Sequence, residues 1–326
     1  MDRRQFASAL ALATAAGALA RPAAAQDKKF TVALIPGLTT DAFYITMHKG
    51  AQAAADALGV ELLFQGAPEF NPTLQVPVLQ AMIARQPDAL LIAPTDKQQL
   101  IAPLRQAHDA GIKVITVDTF IDDGKYQDGT GEGDFPLSYV ASDNIMGGRM
   151  AARALAQAIG EQGKVYVSNV KPGISTTDQR EQGFKEGMAE FSGIEVLETQ
   201  FNDNDANKAS SQLQAVFARN QDLAGVFGAN LFSAFGAADG VKAVGKTGEI
   251  KVVAFDTPTR IIDDLKGGAV DFAIAQHPAE IGFYGVVTAF AALTDQSVPT
   301  TIGTGFTVMD RDNIDQPEIQ RFVYSE

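Results

Sequence analysis

The sequence predicts an α/β protein made of two similar lobes, each a doubly wound parallel sheet. Three observations lead there. From Phe30 onward, short β-rich runs alternate with stretches of helical period, the pattern of a sheet covered by helices. The β-rich runs are apolar throughout, as strands buried between two helix layers require. The series also occurs twice: KVITVD (113–118) in the first half is matched by KVVAFD (251–256) in the second, each an apolar strand running into an aspartate.

In the first series, FTVALIP (30–36) reads as a strand and 41–59 as a helix ending at Gly59. VELLFQG follows, then a helix over 71–85, the strand DALLIAP (88–94), a helix over 97–110, and KVITVD. The segment 120–137 is polar, glycine-rich and without period, and is expected to be a solvated surface loop. Its acidic residues do not have the spacing of a twelve-residue calcium loop. The second series opens with SYVASD (138–143) and the helix NIMGGRMAARALAQAIG. It continues with KVYVSNV (164–170), a helix over 176–190, IEVLETQ, a helix over 206–219, LAGVFGAN (223–230), a further helix, KVVAFD, a short helix and DFAIAQ (271–276). A long helix over 278–293 and a strand near GFTVM (305–309) close the chain.

The first 25 residues carry paired arginines, Arg3 and Arg4, then a mild Ala/Leu stretch ending on small residues. They read as an export signal cleaved after Ala25, by the twin-arginine or the general secretory route. The chain has 39 acidic against 26 basic residues, a net charge of −13, which argues against nucleic acid or an anionic membrane surface as partner. With no cysteine, there is no thiolate nucleophile and no thiolate metal site.

Ligands of open α/β sheets bind beyond the carboxyl ends of the strands. Polar residues gather at those ends here: Asp118, Asn230, Asp256 and Gln276, with Asp41, Phe43 and Tyr44 after the first strand. Each Asp or Asn alone is explained by helix capping. Four in series, drawn from both halves and including a poorly capping glutamine, point to a site. Carboxylates and amides beside an aromatic ring suit a small polyhydroxylated molecule, whose hydroxyls pair with the polar groups while the ring covers its C–H face. Contacts from both lobes would favour a closed form, making a hinged clamp.

TVALIPGLTTDAFY, GAQAAADALG, LLIAPTD, KVITVD, VASDNIMGGRMA, QREQGF, GVFGAN, VVAFD and IAQHPAEIG, in that order, resemble the periplasmic sugar-binding proteins of the ribose-binding type, the solute receptors of ABC importers, along nearly the whole mature chain. The resemblance implies the type I periplasmic binding protein fold with a three-segment hinge near Ser142–Asp143, Gln276–His277 and Ile302–Thr304. The lobes would be 29–142 plus 277–303, and 143–276 plus 304–326. It implies a monomer that takes a monosaccharide or polyol, needs no cofactor, and passes its ligand to permease subunits in the inner membrane.

Ligand contacts carry over to Phe43, Asp118, Asn230, Asp256 and Gln276, with Tyr44 at a second aromatic position. Four positions depart from the family pattern: Thr119 and Asp178 stand where arginines are common, Asn204 where an aromatic is, and Asp41 where an asparagine is. Carboxylates at 41, 118, 178 and 256 need compensation. Either Lys171 or Arg180 leans in, or Asp178 points away, or the ligand is a cationic amino sugar or amino-polyol. Ribose itself is not the expected ligand.

Other motifs lack their context. GVKAVGKT (240–247) matches a phosphate loop in letters, but a helix precedes it and a strand follows, the reverse of the required order. His48, His108 and His277 are too scattered for a metal trio and are expected at helix ends or on the surface. Ser175 and Thr176 read as helix-start caps. The rival classes are an α/β enzyme using paired carboxylates, a sugar-responsive repressor, which would need a DNA-binding unit where the export signal stands, and a periplasmic sensor feeding a chemoreceptor or kinase.

Overall fold

The computed structural model describes residues 29–325; the expected export segment lies outside the described residues. The first series comprises β1 (Thr31–Ile35), α1 (Ala42–Leu58), β2 (Glu61–Phe64), α2 (Pro72–Ala84), β3 (Ala89–Ile92), α3 (Ile101–Asp109), β4 (Lys113–Val117) and β5 (Ser138–Ser142). The second begins with α4 (Asn144–Ala158), β6 (Gly163–Asn169), α5 (Ser175–Met188), β7 (Ile194–Val196), β8 (Gln200–Phe201) and α6 (Ala206–Arg219). It goes on through β9 (Leu223–Gly228), α7 (Leu231–Ala243), β10 (Lys251–Phe255), α8 (Thr259–Lys266) and β11 (Phe272–Gln276). Then come α9 (Pro278–Leu293), β12 (Thr301–Thr304), β13 (Phe306–Met309) and α10 (Pro317–Gln320).

These strands form two sheets. One runs β12-β5-β4-β3-β1-β2 and is parallel throughout. The other runs β13-β11-β10-β9-β6-β7, with β8 beside β6, and is parallel except for the β11–β13 edge. Central strands β3, β9 and β10 are buried along almost their whole length, as their apolar runs require. The chain changes sheet after Ser142, after Gln276, and at Gly305 between β12 and β13. β12 is absent from the sequence reading because TIGT is a short, half-exposed edge strand with little apolar signal. IEVLETQ likewise divides into β7 and β8.

The 120–137 segment has no helix or strand, yet it is not simply solvated. Phe120, Ile121, Tyr126 and Phe135 are buried against the core beneath β3 and β4, and Tyr126 Oη accepts from the Thr116 hydroxyl and the Ile121 N–H. Four spaced aromatic or aliphatic anchors hold a backbone that has no periodicity to reveal them. At 240–247, α7 precedes Gly245 (φ 70°) and β10 follows, so no phosphate loop forms.

Each lobe closes one side with a helix pair in very close approach. A Cβ placed on Gly282 of α9 would lie 2.0 Å from the Met47 carbonyl of α1, and one on Gly183 of α5 would lie 2.0 Å from the Ile145 carbonyl of α4. Neither neighbour is a side chain that can swing away, so the helices must separate if either residue gains a methyl group. Gly282→Ala is therefore expected to lose about 2–3 kcal/mol of stability in urea unfolding. Gly303→Ala, whose Cβ would meet nothing within 4 Å, should stay within about 0.5 kcal/mol of the parent.

Candidate ligand-binding cleft

The carboxyl ends of both sheets face a shared crevice, lined by residues of both lobes, the place where open α/β sheets bind their ligands. The two lysine-to-aspartate strands deliver their carboxylates to it by the same device. After β4, the Asp118 N–H donates to the Val140 carbonyl of β5; after β10, the Asp256 N–H donates to the Ile274 carbonyl of β11. Both residues then take left-handed backbone, with φ of 62° and 79°. Aspartate tolerates this region better than most side chains, and such strained positions concentrate at functional sites. Neither residue caps a helix. Asn230 does, accepting from the Ser233 N–H, but its Nδ2 donates to Asn204 Oδ1 at 2.7 Å on the cleft wall.

Asp41 caps α1 by accepting from the Phe43 N–H, and α1 thereby presents Phe43 and Tyr44, whose rings meet edge to face at 5.1 Å. The loops beyond β1 and β3 are fixed by buried Gln75. Its amide donates to the Pro36 and Ala93 carbonyls and accepts from the Thr95 N–H and hydroxyl.

Of the expected residues, Asp41, Phe43, Tyr44, Asp118, Asn204, Asn230, Asp256 and Gln276 line the crevice; Thr119 and Asp178 do not. Thr119 is buried behind Asp118, with its N–H turned to the Val117 carbonyl. Asp178 lies on α5, where successive residues are about 100° apart. Thr176 and Arg180 share the cleft face, which puts Asp178 about 200° away from each. Its carboxylate accepts from the Gly173 N–H and pairs with Lys97 of the first lobe at 3.7 Å.

Arg180 supplies the counter-charge, whereas Lys171 is not on the wall. The Arg180 guanidinium is buried, donates to Asn144 Oδ1 and the Ala229 carbonyl, and lies 4.0 Å from the Phe255 ring centroid. Leu38, Phe70, Val170, Ile174 and Thr177 complete the wall. Ser175, expected as a cap, instead accepts from the Phe120 N–H across the lobes at 3.1 Å. His48 stacks on Phe64 in mid-helix, and His277 is the N-cap residue of α9.

Three buried carboxylates around one arginine have electrostatic consequences. Burial, with the nearby charges of Asp256 and Asp118, pushes the Asp41 carboxyl up to about 7, against the opposing pull of the Phe43 N–H and Arg180. Burial likewise raises Asp118 to about 6, although Arg180 and the Tyr44 hydroxyl hold it down. Tyr44 donates to Asp118 Oδ2 at 2.7 Å, and burial beside that carboxylate keeps the phenol protonated. Gln276 Nε2 donates to Asp256 Oδ1 at 2.8 Å, which leaves Gln276 Oε1 buried without a partner among the described residues. Thr177 Oγ1 is also buried and unpartnered. Groups of this kind carry a desolvation cost until a donor reaches them.

Two outcomes are expected. At intermediate pH, the folded chain holds protons on Asp41 and Asp118 that unfolded carboxyls, near 3.8, have released. The stability tied to them is complete below about pH 4 and is lost as pH rises through 6 and 7. Asp41→Asn should therefore flatten the fall in ligand-free Tm between pH 5 and 8, with a gain of order 2 kcal/mol at the upper end. Asp178→Asn breaks only a pair whose side chains are about one-third exposed (36% and 34%). It should alter ligand affinity less than about fivefold, with the difference vanishing at high salt.

Comparison with known proteins agrees with this architecture. A family model described as a periplasmic binding protein domain matches residues 32–297. The ribose import binding protein of Escherichia coli is 29% identical over 298 residues, covering 91% of this chain and 95% of that protein. Its counterpart in Haemophilus influenzae is 32% identical, covering 87% and 92%. Among solved structures, an ABC transporter solute-binding protein from Agrobacterium vitis bound with α-D-tagatopyranose superposes with a TM-score of 0.91 at 70% identity, covering 91% of this chain and all of that one. Another from the same organism, with bound D-fucose, gives 0.83 at 28%, covering 90% of this chain and all of that one. Two parallel-sheet lobes facing one polar crevice, with a family match along most of the chain, make this protein a member of the periplasmic binding protein family.

Proposed function

We propose that the protein is the solute-binding component of an ABC-type sugar importer, and that its ligand is a neutral hexose in the pyranose form, with a ketohexose of the tagatose kind favoured. One observation carries the choice of sugar: the Agrobacterium vitis protein with α-D-tagatopyranose bound is 70% identical over the full length of its chain. The chemistry of the cleft supports the same class. Its carboxylates and the free Gln276 acceptor call for several hydroxyl donors, and Phe43 and Phe70 offer apolar faces for C–H groups. Arg180 already stands among the carboxylates as an internal cation, so the ligand need not bring positive charge. This favours a sugar over an amino sugar or amino-polyol.

The lobes of this reading are 29–142 plus 277–304, and 143–276 plus 305–326, because β12 pairs with β5 of the first sheet through Thr304. The ligand contacts are those expected residues that line the cleft, joined by Arg180. The protein binds without turnover and acts as a monomer in the periplasm. It is exported under its paired arginines and delivers its sugar to permease subunits in the inner membrane.

Titration calorimetry with D-tagatose, D-fructose, D-ribose, D-arabinose and D-fucose tests this. Binding is expected for tagatose, weaker binding for the pentoses, and no heat of reaction after saturation. Asp118→Ala and Asp256→Ala should each weaken tagatose binding by about 2 kcal/mol, roughly thirtyfold, because each removes a charge-assisted hydrogen bond. Binding of none of these sugars would refute the reading.

A further inference from the structure

We infer that Tyr324 is a positioning residue for the ligand, and that the segment 322–325 is a strap linking the cleft to both lobes and to the hinge. The inference rests on the reading of the crevice as a monosaccharide site. Tyr324 is not on the cleft wall, and no strand-end or motif argument points to it.

Its hydroxyl donates to Asp256 Oδ1 at 2.9 Å and accepts from the Gln276 N–H at 2.9 Å. Gln276 Nε2 donates to the same carboxylate oxygen. Oδ1 thus holds two donors, which directs the other oxygen of Asp256 to further partners. It also fixes the sense of the Gln276 amide. Turned over, its oxygen would face the carboxylate; as it stands, the nitrogen is committed and the buried Oε1 has no partner among the described residues. The phenol therefore directs one acceptor, the second oxygen of Asp256, and holds in place the carboxylate that sets the other, Gln276 Oε1; together they match a ligand offering two hydroxyl donors. Tyr44 does the same for Asp118 in the other lobe by occupying its Oδ2. Burial, first, and the adjacent Asp256 hold the Tyr324 phenol in its donor form.

The rest of the segment spans the molecule. The Tyr324 N–H donates to the Thr257 carbonyl, and the Thr257 hydroxyl donates to the Phe322 carbonyl, tying the segment to the loop after β10. Phe322 stacks on His277 at 3.9 Å, where the chain crosses from β11 to α9. The Tyr324 ring, itself buried, meets Phe43 edge to face at 5.9 Å, and the Ser325 N–H donates to Thr46 Oγ1 on α1. Four residues thus join one cleft carboxylate, a hinge crossing and the first helix of the opposite lobe. A change in lobe separation must strain or release these contacts, so the strap couples ligand geometry to closure.

The test uses Tyr324→Phe, which keeps the buried ring and removes only the hydroxyl, in the full chain with D-tagatose as probe. A rise in Kd of about ten- to hundredfold is expected, expressed mainly as faster dissociation, with the ligand-free Tm lowered by no more than about 5 °C. A Kd within threefold of the parent overturns the inference. So does an affinity loss that comes with a large fall in ligand-free Tm, which would mark a merely structural role. If the parent binds no sugar, the functional reading fails, and the inference is judged on the ligand-free crystal structure of the variant. There, Gln276 or Asp256 is expected to leave its parental rotamer, and retention of both would overturn the proposal.

Discussion

Three carboxylates, Asp41, Asp118 and Asp256, share a crevice largely closed to water, with Arg180 as the buried cation among them. The rest of the site is organised around that constraint. Unpaired, such groups would cost several kcal/mol each. Here each finds a donor: the Phe43 N–H for Asp41, the Tyr44 phenol for Asp118, and the Gln276 amide with the Tyr324 phenol for Asp256. Tyrosine suits this task because a buried phenol beside a carboxylate stays protonated and donates only in one direction. The donors occupy one side of each carboxylate and leave acceptor capacity for hydroxyls.

Duplication of the lobe explains why the arrangement is available at all. A parallel sheet aims every strand end at the same face, and facing two such sheets together brings both sets of ends to one space. The left-handed turn at Asp118 and at Asp256 is the local feature that follows an apolar strand in each half and redirects its last side chain. The polar contacts across the crevice mouth are individually weak. The Lys97–Asp178 pair is partly exposed and worth about 0–1 kcal/mol, and the Phe120–Ser175 hydrogen bond is a neutral one of similar size. Leu231 of α7 adds apolar burial against the core of the first lobe, and ligand hydroxyls held by charged groups, at roughly 1.5–3 kcal/mol each, would add to these contacts.

Much of this was legible in the sequence because strands carry a strong signal and their ends are easy to place. An apolar run breaking into Asp, Asn or Gln marks the cleft edge, which is how Asp118, Asn230, Asp256 and Gln276 stand out. Helix phase was the weak point. Asp178 and Arg180 are two residues apart on α5, so only one can face the crevice, and the motif alone does not say which. Phe70, Val170 and Ile174 come from loops, where no period assigns a direction. Tyr324 lies far along the chain from every motif, in a segment whose course depends on tertiary contacts with Thr257, His277 and Thr46. The 120–137 loop shows the same limit, since its buried aromatics are anchors without periodicity.

The central claim is that carboxylates from both lobes grip one hydroxyl-rich ligand and thereby hold the halves together. Small-angle X-ray scattering on the parent and on the Asp118→Ala/Asp256→Ala double variant, with and without saturating D-tagatose, addresses it most directly. The account predicts that the sugar shrinks the radius of gyration of the parent and leaves that of the double variant unchanged. A parent that binds the sugar with no change in its scattering, or a double variant that compacts as the parent does, would contradict it.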